Sequence, residues 1–199
     1  MCAREAQALM SQAAGCELAS CALDIVELAA LRARASELSG IARGLGLELA
    51  APGRAAVGSG LLSLSVRPGR WLLLLPPDSP GAQAARWQTA CAGVAAVVDH
   101  SSGLAALHLT GGPVREVLSR GCRLDLDPQA FPPGRAAATI MAQVSVILAQ
   151  LPAALMLLTP VSTARHLREW LASTAKPFGL EAGPDVTVAE LSESGDQWR

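Results

Sequence analysis

The chain has 199 residues, 51% apolar and 17% charged, with 16 basic against 17 acidic side chains and a net charge of −1. A chain this long and this apolar can bury a substantial core, which excludes global disorder, and evenly scattered charges exclude a nucleic-acid face built from clustered basic residues. The basic set contains a single lysine, Lys176, and tyrosine is absent, a skew that reads as codon bias rather than binding chemistry.

Residues 1–22 are rich in Ala, Ser, Gln and Cys without a clear period, and read as a mobile N-terminal extension. Leu23 to Leu31 reads as the first strand, and Ser36 as the N-cap of a short helix ending near Gly44 or Gly46. After a connection over 47–53, Ala55 to Val66 reads as one strand, Pro68-Gly69 as a turn and Trp71 to Leu75 as its hairpin mate. Pro80 opens a helix running to about Ala92, where Gly93 stops it. Val94 to Asp99 reads as a buried strand, Ser101-Ser102-Gly103 as a turn and Leu104 to Leu109 as another strand. Gly111-Gly112-Pro113 leads into a helix from Val114 to Arg120, closed by Gly121 as C-terminal cap.

Pro128 to Gly134 is a loop with three prolines. Ala136 to Ala164 carries no charged side chain. Its length suits a membrane span of about 20 residues, but Gln143, Gln150, Pro152 and Pro160 interrupt it, and Val144-Ser145-Val146 alternates. Two buried core strands joined at Leu151-Pro152 fit the pattern better. Ser162 or Thr163 then caps an amphipathic helix with Leu167, Trp170 and Leu171 inward. Residues 181–199 form an acidic C-terminal tail.

The order is βαββαβ followed by βαββα. The fold class is α+β with mainly antiparallel sheets, as two ferredoxin-like βαββαβ units of which the second ends incompletely. No residue-level repeat is read in support of a duplication, so element order alone carries this reading. The folded domain spans 23–180, with lobes at about 23–100 and 101–180. The low charged fraction suits a protein whose faces are covered by partners, so the isolated chain is expected to associate through apolar surface.

Few residues invite chemistry. Cys2, Cys16, Cys21, Cys91 and Cys122 make no C-x-x-C pair, and an odd count without a signal peptide points to reduced thiols in a cytoplasm. Gly111-Gly112-Pro113 lacks the lysine of a phosphate loop and reads as a turn. His100, His108 and His166 are far apart in sequence. His100 adjoins Asp99 and Ser101, but no nucleophile elbow exists. Asp125 and Asp127 share a strand face before Pro128 without further ligands, which points to loop capping. No residue is assigned a catalytic, cofactor-binding or metal role. Phe131, with Pro132, Gly134 and Arg135, is the candidate partner contact, because an aromatic held among prolines loses little entropy on docking.

The run Val98-Asp99-His100-Ser101, Gly103, Leu109-Thr110-Gly111-Gly112-Pro113 and Val117-Leu118 resembles the signature of folate-dependent aminomethyltransferases. Gly121-Cys122-Arg123-Leu124-Asp125-Leu126-Asp127-Pro128, Phe131-Pro132-Pro133-Gly134-Arg135 and Thr139 are more particular. They resemble the gamma subunits of heterotetrameric sarcosine oxidases and their relatives acting on other N-methyl amino acids. Pro52-Gly53-Arg54-Ala55-Ala56, Arg70-Trp71-Leu72-Leu73 and Trp170-Leu171 are similar to them too. The resemblance covers about residues 52–180 and departs at Ser102 and Leu155, where an Asp and an aromatic are usual.

The resemblance implies an aminomethyltransferase-like, folate-binding-type fold. In catalytic relatives a carboxylate beyond the Gly-Arg loop engages folate and amine, whereas here no carboxylate lies between Asp127 and Glu169. A non-catalytic subunit is therefore expected, beside alpha, beta and delta subunits in a complex carrying FAD, FMN and NAD and using tetrahydrofolate. This chain would hold none of these, and would contact neither nucleic acid nor membrane. The rival readings are a stand-alone folate-dependent aminomethyltransferase and a small membrane-associated protein.

Overall fold

A computed structural model describes residues 15–58 and 60–193. In chain order the elements are β1 (Cys16–Ala22), β2 (Asp24–Ala30), α1 (Ala35–Gly44), β3 (Arg54–Gly58), β4 (Leu61–Arg67), β5 (Arg70–Leu75), α2 (Ala82–Ala90), β6 (Ala95–Asp99) and β7 (Leu104–Thr110). There follow α3 (Val114–Ser119), β8 (Ala136–Met141), β9 (Val144–Gln150), β10 (Leu155–Pro160), α4 (Val161–Ala175), a 3-10 turn (Lys176–Phe178), β11 (Leu180–Ala182), β12 (Val186–Thr187) and α5 (Val188–Glu193).

The strands form two sheets. Sheet one has the order β3-β4-β5-β2-β6, and sheet two the order β11-β1-β7-β10-β9-β8, with β12 also on β1. All pairings are antiparallel except those of β11 and β12 with β1. In sheet one β5 lies between β2 and β4, and β2 between β5 and β6, which is the split arrangement of a ferredoxin-like unit. Sheet two repeats it, with β10 between β7 and β9. The strand that completes it beside β7, however, is β1, from the other end of the chain. The chain therefore runs twice through β-β-α-β-β-β-α, and each copy gives its first strand to the other copy's sheet.

Strand periodicity then builds four layers. Val26, Leu28, Trp71, Leu73 and Leu75 of sheet one pack with Leu38 and Ala42 of α1 and Trp87 of α2. Their neighbours Ile25, Leu62, Leu64, Leu72 and Leu74 face sheet two, where Ala106, Ala149, Met156 and Leu158 meet them. The opposite face of sheet two presents Leu107, Leu109, Val146, Leu148, Leu155 and Leu157 to Val117 and Leu118 of α3 and Leu167 and Leu171 of α4. Strands covered on both faces have no polar face to alternate with, so Leu72–Leu75 and Leu155–Leu158 read as unbroken apolar runs.

That layering accounts for the uncharged segment 136–164. It supplies three strands, one more than expected, and the start of α4. About half of it is interior to this chain, so its lack of charge reflects the core as much as open apolar surface. Among the described residues the exposed large hydrophobics are Leu31, Val98, Ile140 and Val161. No described helix is long and apolar enough to cross a membrane.

Several elements differ from the sequence reading. Residues 16–22, assigned to a mobile extension, are β1, paired on both edges by β7 and by β11 with β12; residues 1–14 and Cys2 lie outside the described residues. The 55–66 strand is a hairpin turned at Gly60, whose φ of 74° suits glycine. The 94–99 strand is an edge strand whose Ala96, Val98 and Asp99 are exposed. Of the acidic tail, β12 and α5 are folded, with Val188 and Leu191 buried; 194–199 lie outside the described residues.

Candidate functional site

The loop expected to offer Phe131 to a partner is folded inward. Phe131 is 3% exposed and belongs to the cluster holding Leu126, Met141 and Leu118. Phe131 is thus a core residue, which corrects its assignment as a surface anchor. The cause lies one helix away. The Arg115 guanidinium donates to the Leu126 carbonyl, to the Phe131 carbonyl at 3.2 Å and to Gln150 Oε1 at 2.8 Å. Burial lowers the Arg115 pKa, with Asp127 opposing. Gln150, also buried, donates to the carbonyls of Leu151 and Ala154. One cation thus ties the start and the middle of a proline-rich segment to β9, satisfying carbonyls that lie outside any strand ladder. Of the remaining residues, Gly134 is buried and Pro132 and Arg135 are half-buried.

Gly134 and Arg135 have a different role, visible only in three dimensions. Pro52-Gly53-Arg54-Ala55-Ala56 recurs as Pro133-Gly134-Arg135-Ala136-Ala137. Both glycines are left-handed, with φ of 75° and 81°. Ala55 N donates to Gly134 O at 2.9 Å, and Ala136 N donates to Gly53 O at 3.0 Å. Gly53 N donates to Ser65 O of β4, and Gly134 N donates to Gln150 O of β9. The two copies therefore meet in a reciprocal bridge, Arg54 opposite Arg135, which marks a pseudo-twofold axis between β3 and β8. A repeat in residues, invisible to a reading of element order alone, sits on that axis.

The titratable candidates are not brought together. Asp125 Oδ1 accepts from Asp127 N and Asp127 Oδ1 from Gln129 N, the loop-capping geometry expected. His100 lies 2.9 Å from Glu27, which also takes Arg70 at 2.7 Å. Burial raises the Glu27 pKa, but hydrogen bonds from Arg70 and His100 outweigh it and leave it below the usual carboxylate range. Ser101 Oγ accepts from Ile25 N and Asp99 Oδ1 from Ser101 N, so both groups secure the β6–β7 crossing. His166 reaches the Ala142 carbonyl, and burial lowers the His108 pKa. Cys16, Cys21, Cys91 and Cys122 are free thiols, and burial, reinforced by Asp185, pushes Cys21 up to about 12. Gly111 (φ 111°) leaves no room for a Cβ against the Gly15 carbonyl. Gly111 thus packs against the chain's own backbone at Gly15, and the helix after the turn has six residues.

Gly121 is not a left-handed cap, and its need for glycine comes from Trp170. A Cβ there would lie 2.9 Å from Trp170 Cη2 and closer still to Cζ2. The family-like Gly121 and Trp170 are thus one contact between α4 and the turn after α3. Gly121→Ala is expected to destabilise the chain by about 1–3 kcal/mol through overpacking, read as a lowered thermal midpoint. Trp170→Phe should relieve part of that loss, which makes the pair's coupling measurable.

The pseudo-twofold exposes one asymmetry. Leu62, which pairs with Leu74 and Val57 in sheet one, corresponds to Ile147, which pairs with Leu158 and Ala138 in sheet two. On sheet one this end is covered by α5, which packs on β4. Its Leu191, 2% exposed, joins the cluster of Leu62 and Leu74 with partly buried Leu23, Val57 and Val186. On sheet two the same end is an open groove of about 230 Å³ along Leu104, Ala138, Ser145, Ile147, Leu158 and Pro160. Ile140 lies two residues beyond Ala138 on the same strand face, and Val161 follows Pro160; both are exposed. Sequence alone does not distinguish this groove, because its residues look like any other core strand.

Comparison with known proteins accords with this architecture. The model of the sarcosine oxidase, gamma subunit family matches residues 29–176. A chain of the heterotetrameric sarcosine oxidase from Corynebacterium sp. U-96 superposes with a TM-score of 0.73 at 24% identity, over 88% of this chain and 93% of that one. The glycine cleavage system aminomethyltransferase T from Bartonella henselae superposes with a TM-score of 0.63 at 15% identity, over 92% of this chain and 50% of that one. No curated protein matches the sequence.

Proposed function

The chain belongs to the sarcosine oxidase gamma subunit family, and on that premise we propose that it is a non-catalytic subunit of a heterotetrameric oxidase demethylating an N-methyl amino acid such as sarcosine. It stands there beside alpha, beta and delta subunits in the cytoplasm, and they hold the FAD, FMN, NAD and tetrahydrofolate. Family membership is the observation that carries this reading. The duties of the polar groups support it, because Arg115, Gln150, Asp125, Asp127, Asp99 and Ser101 all hold this chain's own backbone. A fold shared with aminomethyltransferases does not bring their site with it.

The test is co-expression of the tagged chain with the large subunits of such an oxidase. The expected result is a yellow, amine-oxidising complex holding the chain in equal proportion, while the chain purified alone is colourless and gives no heat with tetrahydrofolate in calorimetry. A chain that turns over amine with folate by itself would instead support the stand-alone transferase.

A further inference from the structure

The strongest unexplained feature is the apolar groove on sheet two, whose twin on sheet one is filled by this chain's own α5. We propose that this groove, between Leu104, Ala138, Ile147 and Leu158, seats a leucine-bearing amphipathic segment of another subunit of the oxidase, in the way that α5 seats Leu191 on sheet one. This proposal rests on the subunit reading above.

Three observations select that occupant. First, the corresponding seat has a known filling: a short helix entering with Val188 and Leu191 buried and Glu190 outward. Strands, facing residues and pairing register correspond between the two seats, so a similar insert fits both. Second, no charged side chain lines the groove, so a charged insert would be buried unpaired and an aliphatic one is favoured. The two exposed hydrophobics at its margin, Ile140 and Val161, extend the same chemistry outward. Third, a volume of about 230 Å³ falls below the roughly 300–1,000 Å³ of drug-sized ligand pockets, so a side chain suits it better than a small molecule. Stable interfaces bury about 1,200 Å² or more. This groove is therefore one anchoring point within a larger contact, as a permanent multi-subunit assembly supplies. Self-association about a twofold would instead bring another part of the same patch on a second copy to the groove, an outcome that crosslinking distinguishes.

The experiment uses the co-expressed complex. Ala138→Glu places a charge in the groove at an exposed position, and should cut co-purification at least tenfold while leaving the isolated chain's thermal midpoint within a few degrees. In parallel, a photo-crosslinking p-benzoylphenylalanine at position 140 of the assembled complex should give crosslinks to one short apolar stretch of a different subunit. Undiminished assembly of Ala138→Glu, or crosslinks confined to a second copy of this chain or absent altogether, would overturn the proposal and leave the subunit reading standing. A wild-type chain that never co-purifies removes both. Should Ala138→Glu itself unfold, Ile140→Asp and the crosslinks decide the question by the same outcomes.

Discussion

Phe131→Ala is expected to lower the stability of the isolated chain by about 3–5 kcal/mol, the range for emptying a buried aromatic site. For a chain of this length that corresponds to a drop of about 10 °C in thermal midpoint. The reason is specific to how the loop is held. Phe131 enters the cluster of Leu126, Met141 and Leu118, while Arg115 fixes the carbonyls of Leu126 and Phe131 on either side of it. The backbone cannot collapse into the vacated space without breaking charge-assisted hydrogen bonds, so the cavity remains. An interface anchor would behave in the opposite way, with an unchanged midpoint alone and lost assembly in the complex. Thermal unfolding of the isolated variant, beside co-purification at low temperature, separates the two. A midpoint within a degree or two of wild type would return Phe131 to the surface.

The difference between those two readings of Phe131 shows where sequence reasoning loses its grip. Three prolines and two aspartates make 125–134 look like surface loop, and locally it is one, with Asp127, Pro128, Gln129 and Ala130 exposed. What turns Phe131 inward is a guanidinium at Arg115 and an amide at Gln150, both distant in sequence and unremarkable in composition. β1 is hidden for a similar reason. Cys16–Ala22 lacks a period of its own because Cys16 and Leu18 face α4 while Ala19 and Cys21 meet other neighbours, and its pairing with β7 spans nearly half of the chain. The elements that are legible are those with local cause: β5 with its Pro68-Gly69 turn, the β9–β10 pair joined at Leu151-Pro152, and α4 with Leu167 and Leu171 buried. The split strand order follows from them. The repeated Pro-Gly-Arg-Ala-Ala is legible in principle, but its meaning depends on two left-handed glycines facing each other across the axis.

The pseudo-twofold supplies the second large effect, because a carboxylate can be placed on the insert of the filled seat and on the margin of its open twin. Leu191→Asp puts a carboxylate into a position 2% exposed, among Leu62, Leu74 and Val57, where the aliphatic packing of the leucine is gone and the charge has no partner. About 4 kcal/mol or more is expected from the forfeited burial and the uncompensated charge together. That is a large share of the roughly 5–15 kcal/mol holding a domain folded, so the variant should melt far below wild type or release α5 from sheet one. Ile140→Asp likewise removes a branched aliphatic, here at the margin of the open groove, but with 39% of the residue exposed it should change stability by only about 0.5 kcal/mol. In the assembled complex the order of effects should change: Ile140→Asp now costs assembly, because a neighbouring segment has made that site interior. Thermal midpoints of both variants, alone and in complex, measure this directly. Equal effects of Leu191→Asp and Ile140→Asp in the isolated chain would mean that α5 only rests on sheet one, and that the filled seat is no guide to the open one.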